Sequence, residues 1–248
     1  MLTKEIQTYW THRADGYSKV NQDELQCQQK ATWLRAIETR IGPQDKSRCK
    51  VLDIGTGPGF FAILMAESGY NVTAVDFTQA MLDEAQGNAK GLPIDFQIMD
   101  AQNLTFPDDT FDVIITRNVT WNLPDPQVAY SQWVRVLKPG GHLLNFDANW
   151  YSYLDDQDKR ESYEADRQRA SQEEVEDFYD GTDIEEMERI ASLLPLSPVT
   201  RPQWDRGVLE ALDVGTLTID EAVWDEVWSP EEKINYTTTP MFLVWVQK

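Results

Sequence analysis

The chain has 248 residues, with 42 acidic against 22 basic side chains and a formal net charge of −20. This excess of negative charge disfavours nucleic acid as a partner, because phosphate groups would repel it. No apolar run approaches the roughly 20 residues of a membrane helix, and the first residues lack the apolar core of a secretory signal. Two cysteines and two histidines predict neither a disulfide framework nor a metal site. We therefore expect a cytoplasmic protein with no metal and no membrane partner.

The first half of the chain alternates between strand and helix patterns. Apolar residues at helical spacing predict a helix over residues 22–41, which Gly42 and Pro43 end. The strands predicted after it are Val51–Ile54, Asn71–Val75, Ile94–Met99, Phe111–Thr116 and His142–Phe146, and the helices are Phe60–Glu67, Gln79–Asn88 and Pro126–Leu137. Unbroken apolar strands that alternate with helices predict a parallel sheet covered on both faces.

The pattern changes after residue 150. Helices are predicted at Tyr153–Phe178, Asp183–Leu194 and Trp204–Leu212, and an apolar strand at Met241–Val246. We predict a single domain over residues 1–248. Its parts are an N-terminal helical cap (1–48), a ligand-binding core (49–150), an acidic helical insertion (151–203), and a closing helix and strands (204–248). The cap is expected to pack beside the insertion.

The insertion holds half of the excess charge, a net −10 over residues 151–200. A charged run of this kind usually forms a solvated helical face that keeps the protein in solution. The alternative is an acidic cover that attracts a cationic substrate. Under that alternative we expect Asp155, Asp156, Asp158 and Glu161 to contribute.

A glycine-rich loop follows the first predicted strand, in the sequence Val51–Gly59. Ligands of open parallel sheets bind at the carboxyl ends of the strands, where glycines let a ligand approach the backbone. The third glycine of a dinucleotide fingerprint would fall at position 60, which is Phe60, and no Gly-Lys-Ser/Thr follows. A nicotinamide cofactor is therefore disfavoured, and a P-loop is excluded.

Carboxylates end the first three strands. Asp53 precedes the loop and suits a ligand that carries an ammonium group. Asp76 ends the second strand, where a carboxylate can accept both hydroxyls of a ribose. Asp100, followed by Ala101, ends the third strand and can accept a hydrogen bond from an exocyclic amine. Together they predict a ligand with an amino-acid ammonium, a ribose and an adenine, and no phosphate.

Four motifs in order and spacing resemble the class I S-adenosylmethionine-dependent methyltransferases of the small-molecule, methyltransferase type 11-like kind. The motifs are Val51–Gly59, Val72–Met81, Asp100–Val113 and Leu137–Gly141. The likeness is close over residues 50–147 and looser towards both ends. It implies an α/β fold: a Rossmann-like, doubly wound, seven-stranded sheet whose last strand is antiparallel. The implied cofactor is S-adenosyl-L-methionine.

The resemblance also implies roles for matching positions. The cofactor-binding residues would be Asp53, Gly55, Gly57, Gly59, Asp76, Phe77, Asp100, Ala101 and Asn118. Gly55, Gly57 and Asn118 would line the methionine part of the cofactor. Asp76 would hold the ribose, and Phe77 would lie against the adenine. Five of these positions also have a structural alternative. The alternatives are helix–strand packing for Gly59, a helix cap for Asp76, a turn for Asp100, the core for Phe77 and a loop-capping amide for Asn118.

Aromatic and polar residues near the strand ends are candidates for the acceptor site. They are Tyr9, Trp10, Tyr17, Trp121, Asp147 and Trp150. Such aromatic side chains can enclose an acceptor or sit over a cation, or they can pack the insertion on the sheet. An amine acceptor must lose a proton and a hydroxyl needs a general base, but no catalytic base can be assigned from the sequence.

The expected function is methyl transfer from S-adenosylmethionine to a small-molecule acceptor, amine-bearing or aromatic, by direct in-line displacement. Three alternatives remain open. They are methylation of a protein, methylation of tRNA, and binding of the cofactor without catalysis, because a fold does not fix a chemistry. The charge disfavours tRNA. For the oligomeric state, both a monomer and a homodimer remain open.

Overall fold

A seven-stranded sheet forms the centre of the molecule, in the order β3-β2-β1-β4-β5-β7-β6. The computed structural model describes residues 2–175, 178 and 182–248. The strands are β1 Lys50–Ile54, β2 Asn71–Asp76, β3 Ile94–Ile98, β4 Phe111–Arg117, β5 Leu137–Asp147, β6 Thr216–Asp220 and β7 Phe242–Gln247. The first five strands are parallel, and β7 is antiparallel to both of its neighbours. The predicted Rossmann-like sheet with an antiparallel last strand is confirmed.

Helices cover both faces of the sheet. They are α1 Leu2–Gln26, α2 Gln29–Ile41, α3 Phe60–Glu67, α4 Gln79–Ala89, α5 Pro126–Val136, α6 Gln157–Gln172, α7 Ile184–Ala191, α8 Gln203–Ala211, α9 Val223–Val227 and α10 Pro230–Asn235. None of those in the described part of the chain is both long and apolar enough to cross a membrane.

Most predicted elements of the core agree with the structure to within one residue, but two helix predictions were wrong. The helix predicted over residues 22–41 is two helices, because α1 ends at Gln26 and α2 begins at Gln29. The helix predicted at Tyr153–Phe178 begins as a short 3-10 turn, and α6 starts only after Asp156. The Asp156 carboxylate caps α6 by accepting a hydrogen bond from Lys159 N at 3.1 Å, which fixes that start. Residues 176 and 177 of that prediction lie outside the described residues.

Two apolar clusters lie on opposite faces of the sheet. On one face, Trp33 of α2 is fully buried and meets Phe61 of α3 and Phe146 of β5, with ring centroids 5.2 and 5.1 Å away. On the other face, Tyr130 and Trp133 of α5 are fully buried. Burying each large apolar side chain contributes about 1.5–3 kcal/mol to the free energy of folding. The packing on both faces of the sheet therefore holds the strand ends in position.

A third apolar cluster brings the N-terminal helix beside the insertion. Ile6 and Tyr9 of α1 pack with Trp121, which follows β4, and with Ile190 of α7. At the surface, Arg189 of α7 forms an ion pair with a glutamate of α1 at 2.6 Å. As a result, α1 and α7 together border the space beyond the carboxyl ends of the strands.

Candidate active site

A cavity of about 890 Å³ lies at the carboxyl ends of the strands. Its wall combines the loop after β1, the ends of β2 and β3, the segment after β4, and residues from α1, α7 and α10. Of the predicted site residues, the structure brings these to the cavity: Asp53, Gly55, Gly57, Asp76, Phe77, Asp100, Ala101, Asn118, Tyr9, Trp10, Tyr17, Trp121 and Trp150. Gly59 and Asp147 are not on its wall.

The glycine loop leaves its backbone open to the cavity. Gly55 and Gly57 have φ angles of +64° and +51°, a region that residues with a side chain rarely adopt. A Cβ at Gly55 would also overlap the side chain of Val119. The N–H of Gly57 donates a hydrogen bond to the Asp76 carboxylate at 3.0 Å. The loop is therefore joined to the end of β2 by a direct contact.

Gly59 lies away from the cavity and packs α3 against α4. Its φ angle is +96°, and a Cβ there would come within 3.1 Å of the Cβ of Ala85. The absence of a side chain is thus required by helix packing. This geometry favours the packing alternative, and the cofactor-binding role of Gly59 stays a prediction.

Asp53 holds the glycine loop to the start of α3. Its Oδ2 accepts hydrogen bonds from Thr56 Oγ1 at 2.6 Å and from Ala62 N at 2.9 Å. Burial raises the pKa of this carboxyl to about 7, against the lowering effect of those two donors. The geometry shows the loop-supporting role for this carboxylate.

Asp76 is buried at the end of β2 with its carboxylate fixed by backbone donors. Oδ2 accepts from Gly57 N, and Oδ1 accepts from Thr78 N at 2.9 Å. Each carboxylate oxygen can accept a further hydrogen bond, so both remain able to meet ribose hydroxyls. Burial raises the pKa of Asp76 to about 6.

The ends of β2 and β3 supply the next part of the wall. Phe77 lines the cavity, and its carbonyl accepts a hydrogen bond from Gln7 Nε2 at 2.8 Å, which ties α1 to this edge. Asp100 Oδ1 accepts from the backbone N of Gln102 at 2.8 Å, so this carboxylate also stabilises a turn. The Ala101 carbonyl accepts from Trp133 Nε1 at 2.9 Å.

Asn118 connects the glycine loop to an aromatic region. It has a φ angle of +59°, and its Oδ1 accepts a hydrogen bond from Trp150 Nε1 at 3.2 Å. Burial raises the pKa of the Tyr17 hydroxyl, and the nearby Asn118 side chain lowers it in part. The Tyr17 ring in turn lies beside Gly57. Asn118 therefore lies between two parts of the cavity, one at the glycine loop and one lined by aromatic side chains.

Aromatic side chains form the opposite wall. Tyr9 meets Trp10 with ring centroids 5.5 Å apart, and Trp10 meets Tyr17 at 5.9 Å. Further ring pairs are Trp121 with Tyr151 at 5.0 Å, Trp150 with Tyr236 at 5.1 Å, and Trp228 with Tyr236 at 5.6 Å. Sequence reasoning missed Trp228 and Tyr236, because they follow the core by about 80 residues and carry no motif.

Asp147 was predicted to line the acceptor site, and this prediction was wrong. Its carboxylate is fully buried, accepting from Arg201 Nη1 at 2.7 Å and from the backbone N of Trp121 at 3.0 Å. Arg201 also pairs with Asp205 at 2.7 Å. A buried carboxylate needs such a partner, so Asp147 turns away from the cavity and positions the backbone of Trp121 instead.

A buried ion pair between α1 and β4 also lines the cavity. The guanidinium of Arg117 donates to both oxygens of Glu24, at 2.7 and 2.8 Å. It also lies 4.5 Å from the ring centroid of Phe60. Arg117 is the last residue of β4, at the strand end where functional residues are expected, but nothing in the sequence indicates Glu24 as its partner. The pair neutralises both charges at this side of the cavity.

Glu232, on α10, adds a second carboxylate beside that pair. Ser229 and Glu232 form a capping box, in which Glu232 Oε2 accepts from Ser229 N at 2.8 Å. Oε2 also accepts from Gln29 Nε2. Burial, then the charge of Glu24, raises the pKa of Glu232 to about 7. The capping-box pattern was visible in the sequence, but it indicates only the start of a helix.

A doubly wound sheet with a cavity at its strand ends is the arrangement in which open α/β proteins bind their ligands. Residues 52–145 match the family described as methyltransferase domain. Over these residues the chain is similar to the class I S-adenosylmethionine-dependent methyltransferases, a family whose cofactor is S-adenosylmethionine.

Curated relatives match the central part of the chain. The ubiquinone/menaquinone biosynthesis C-methyltransferase UbiE of Desulfotalea psychrophila is 37% identical over 117 residues, which are 46% of this chain and 47% of that protein. The ubiquinone biosynthesis O-methyltransferase of Coxiella burnetii is 33% identical over 125 residues, 49% of this chain and 52% of the relative. The chain thus spans about half the length of the curated relatives it matches.

Solved structures share the fold over nearly the whole chain. A SAM dependent methyltransferase from Aquifex aeolicus has a TM-score of 0.54 at 18% identity and covers 91% of this chain and 95% of its own. A chain from the complex between the Haloferax volcanii Trm112 methyltransferase activator and a methyltransferase has a TM-score of 0.61 at 17% identity, with 96% of each chain covered. At these identities the likeness shows the fold alone.

Proposed function

We propose that this protein transfers the methyl group of S-adenosylmethionine to a small-molecule acceptor by direct in-line displacement. The observation that carries the proposal is the continuity of the cavity. One space joins the glycine loop and Asp76 to the aromatic wall, with Asn118 at the junction. A methyl donor in the first part would face an acceptor in the second.

The strand-end residues would bind the cofactor. The backbone of Gly55 and Gly57 would lie against its methionine part, and the Asp76 carboxylate would accept both ribose hydroxyls. Phe77 would contact the adenine face, with Asp100 at its edge. Bound S-adenosylmethionine supplies a methyl group that its sulfonium already activates, so the protein does not have to generate an electrophile.

The aromatic wall would hold the acceptor and exclude water. Displacement requires the acceptor lone pair to line up with the methyl and the sulfur at near-attack distance. Aromatic side chains around an enclosed space supply both contact area and a dry surface. A cavity of about 890 Å³ has room for the cofactor and a small acceptor together.

Two observations favour a small molecule over a macromolecule. The curated relatives are named for ubiquinone and menaquinone biosynthesis, in which the acceptors are small molecules. The net charge of −20 would repel tRNA. The oligomeric state, monomer or homodimer, does not enter the proposal.

Calorimetry with S-adenosylhomocysteine tests the cofactor assignment. We expect binding to the wild-type protein and roughly tenfold weaker binding to Asp76→Ala, because this variant loses charge-assisted hydrogen bonds to the ribose. Asp95→Ala is the matched control, since Asp95 lies on the neighbouring strand and does not line the cavity. Tight binding of NADH with none of S-adenosylhomocysteine would contradict the proposal. Cofactor binding with no methyl transfer to any small-molecule pool would favour the non-catalytic alternative.

A further inference from the structure

Hydrogen bonds hold the carboxylate of Glu232 through one of its two oxygens. Oε2 accepts hydrogen bonds from Ser229 N and Gln29 Nε2, which fix the side chain at the first turn of α10. In the described part of the chain no hydrogen bond reaches Oε1, although Glu232 lines the cavity. Oε1 is therefore available to a ligand.

The negative charge of Glu232 has no contact ion pair among the described residues. Arg117, the cation of the cavity wall that lowers the pKa of Glu232, is already engaged by both oxygens of Glu24. Because a partly buried carboxylate gains most from an opposite charge at contact distance, a cation in this part of the cavity would be stabilised. The charge balance favours a cationic ligand over a neutral one.

Aromatic side chains line the same cavity as this carboxylate. Trp228 precedes the capping box, and its ring centroid lies 5.6 Å from that of Tyr236, which meets Trp150 at 5.1 Å. All three line the cavity with Glu232. Aromatic faces attract ammonium groups, and the attraction grows when water is excluded. A carboxylate next to aromatic rings is a combination that recognises an organic ammonium ion.

We infer that the methyl acceptor is a primary or secondary amine, and that Glu232 binds its ammonium and accepts its proton. This inference rests on the proposed function, because it concerns the acceptor part of the same cavity. The N–H bond of the ammonium breaks, and the proton moves to Oε1 of Glu232. The freed nitrogen lone pair then forms a bond to the methyl carbon while the carbon–sulfur bond breaks, and its electron pair stays on sulfur.

The products of this step are the N-methylated ammonium and S-adenosylhomocysteine, and the proton on Glu232 passes to solvent. A carboxylate whose pKa lies near neutral can take up and release a proton under working conditions. Glu24 cannot replace it, since Arg117 occupies both of its oxygens. Glu232 is thus assigned as a catalytic residue.

Binding to the protein saturated with S-adenosylhomocysteine tests the assignment without turnover. The probes are 2-phenylethylamine and 2-phenylethanol, which share a carbon skeleton and differ in the ammonium group. We expect calorimetry to detect the amine and to show binding of the alcohol at least tenfold weaker. Glu232→Gln should weaken binding of the amine at least tenfold. Gln can keep the capping box and the contact with Gln29, so the variant should fold.

Glu221→Gln is the control, because it removes the same charge from an exposed residue that does not line the cavity. It should bind the amine as the wild type does. Equal binding of the amine to Glu232→Gln and wild type, equal binding of amine and alcohol, or no binding of the amine to wild type at millimolar concentration would each overturn the inference. S-adenosylhomocysteine would still bind in those cases, whereas failure of the proposed function would appear as a loss of S-adenosylhomocysteine binding itself.

Discussion

The two parts of the cavity are built in different ways. The part proposed to bind the cofactor, the cofactor part, comes from short stretches at the ends of β1, β2 and β3. Backbone N–H groups fix its carboxylates, as those of Gly57 and Thr78 do for Asp76. The acceptor part gathers side chains from α1, the segments after β4 and β5, and α10. There side chains hold one another, as Arg117 holds Glu24.

This difference explains why one part can be recognised from the sequence and the other cannot. Contacts within a loop and between adjacent parallel strands recur at fixed spacing, so a motif records them. Contacts between distant side chains leave no spacing to detect. It also means that the two parts should respond differently to substitution: the first through ligand binding, the second through stability and acceptor choice.

The largest effect is expected where the acceptor part rests on a buried ion pair. Arg201→Met leaves the carboxylates of Asp147 and Asp205 buried without a neutralising cation, so we expect a loss of about 3–5 kcal/mol in the free energy of unfolding. Urea denaturation measures it. Arg206→Met removes only a half-exposed pair with Glu210 and should change stability by less than about 1 kcal/mol. Equal effects of the two variants would contradict the structural role of the network.

The next effect falls on the cofactor part. Gly55→Ala places a Cβ at a positive φ angle and against Val119, so we expect binding of S-adenosylhomocysteine to weaken roughly a hundredfold. Calorimetry is the measurement. Gly87→Ala is the control, because a Cβ at that position in α4 meets nothing within 4 Å. Unchanged binding by Gly55→Ala would show that the backbone of the loop is not held as described.

A smaller effect, the pH dependence of amine binding, should distinguish the acceptor part from the cofactor part. The pKa of Glu232 lies at about 7, so its carboxylate gains a proton as the pH falls and loses its attraction for an ammonium. We expect binding of 2-phenylethylamine to weaken about fivefold between pH 7 and pH 6, because the ionised fraction of Glu232 falls by that factor while the amine stays charged. The charged groups that face Glu232 are Glu24 from α1 and Arg117 from β4, and the pKa of Arg117 is raised, so it stays charged.

Measurement at saturating S-adenosylhomocysteine removes the contribution of the cofactor part to this profile. That precaution is needed because burial also raises the pKa of Asp53 to about 7 and that of Asp76 to about 6. Glu232→Gln should show weak binding with no dependence on pH over the same range. A variant that kept the wild-type profile would assign the titration to another group.

The smallest effect concerns the insertion. Asp155, Asp156, Asp158 and Glu161 are exposed and do not line the cavity. If their charge attracts a cationic acceptor from a distance, replacing the four by Asn or Gln should raise the KM of the amine by about twofold at low salt. The difference should disappear at high salt. No change at either salt concentration leaves solubility as the role of this charge.

Several features of the core were predictable because they follow from local patterns. Apolar runs bounded by glycines located the parallel strands, and carboxylates at their ends located the cofactor part. Strand β6 was missed because Thr216–Asp220 lies at the edge of the sheet, half-buried, and has no apolar run. The sequence showed Cys27 and Gln28 inside a helical pattern, but α1 ends before these two residues and α2 begins after them.

The acceptor part was only partly predictable, for a different physical reason. Proximity to strand ends correctly brought Trp121 and Trp150 to the cavity, but proximity does not fix where a side chain points. Asp147 turns inward because Arg201, 54 residues later, offers it an opposite charge. Glu232 depends on packing between α10 and α2. Such pairings are decided by the folded chain as a whole.

Helix α1 contributes to both parts of the cavity. Tyr17 lies beside the glycine loop, whereas Glu24, two turns further along, orients Arg117 in the acceptor part. A ligand bound at the loop would contact α1, the same helix that shapes the acceptor part. We therefore expect ordered addition, in which the methyl donor enters first and its arrival completes the compartment for the second substrate.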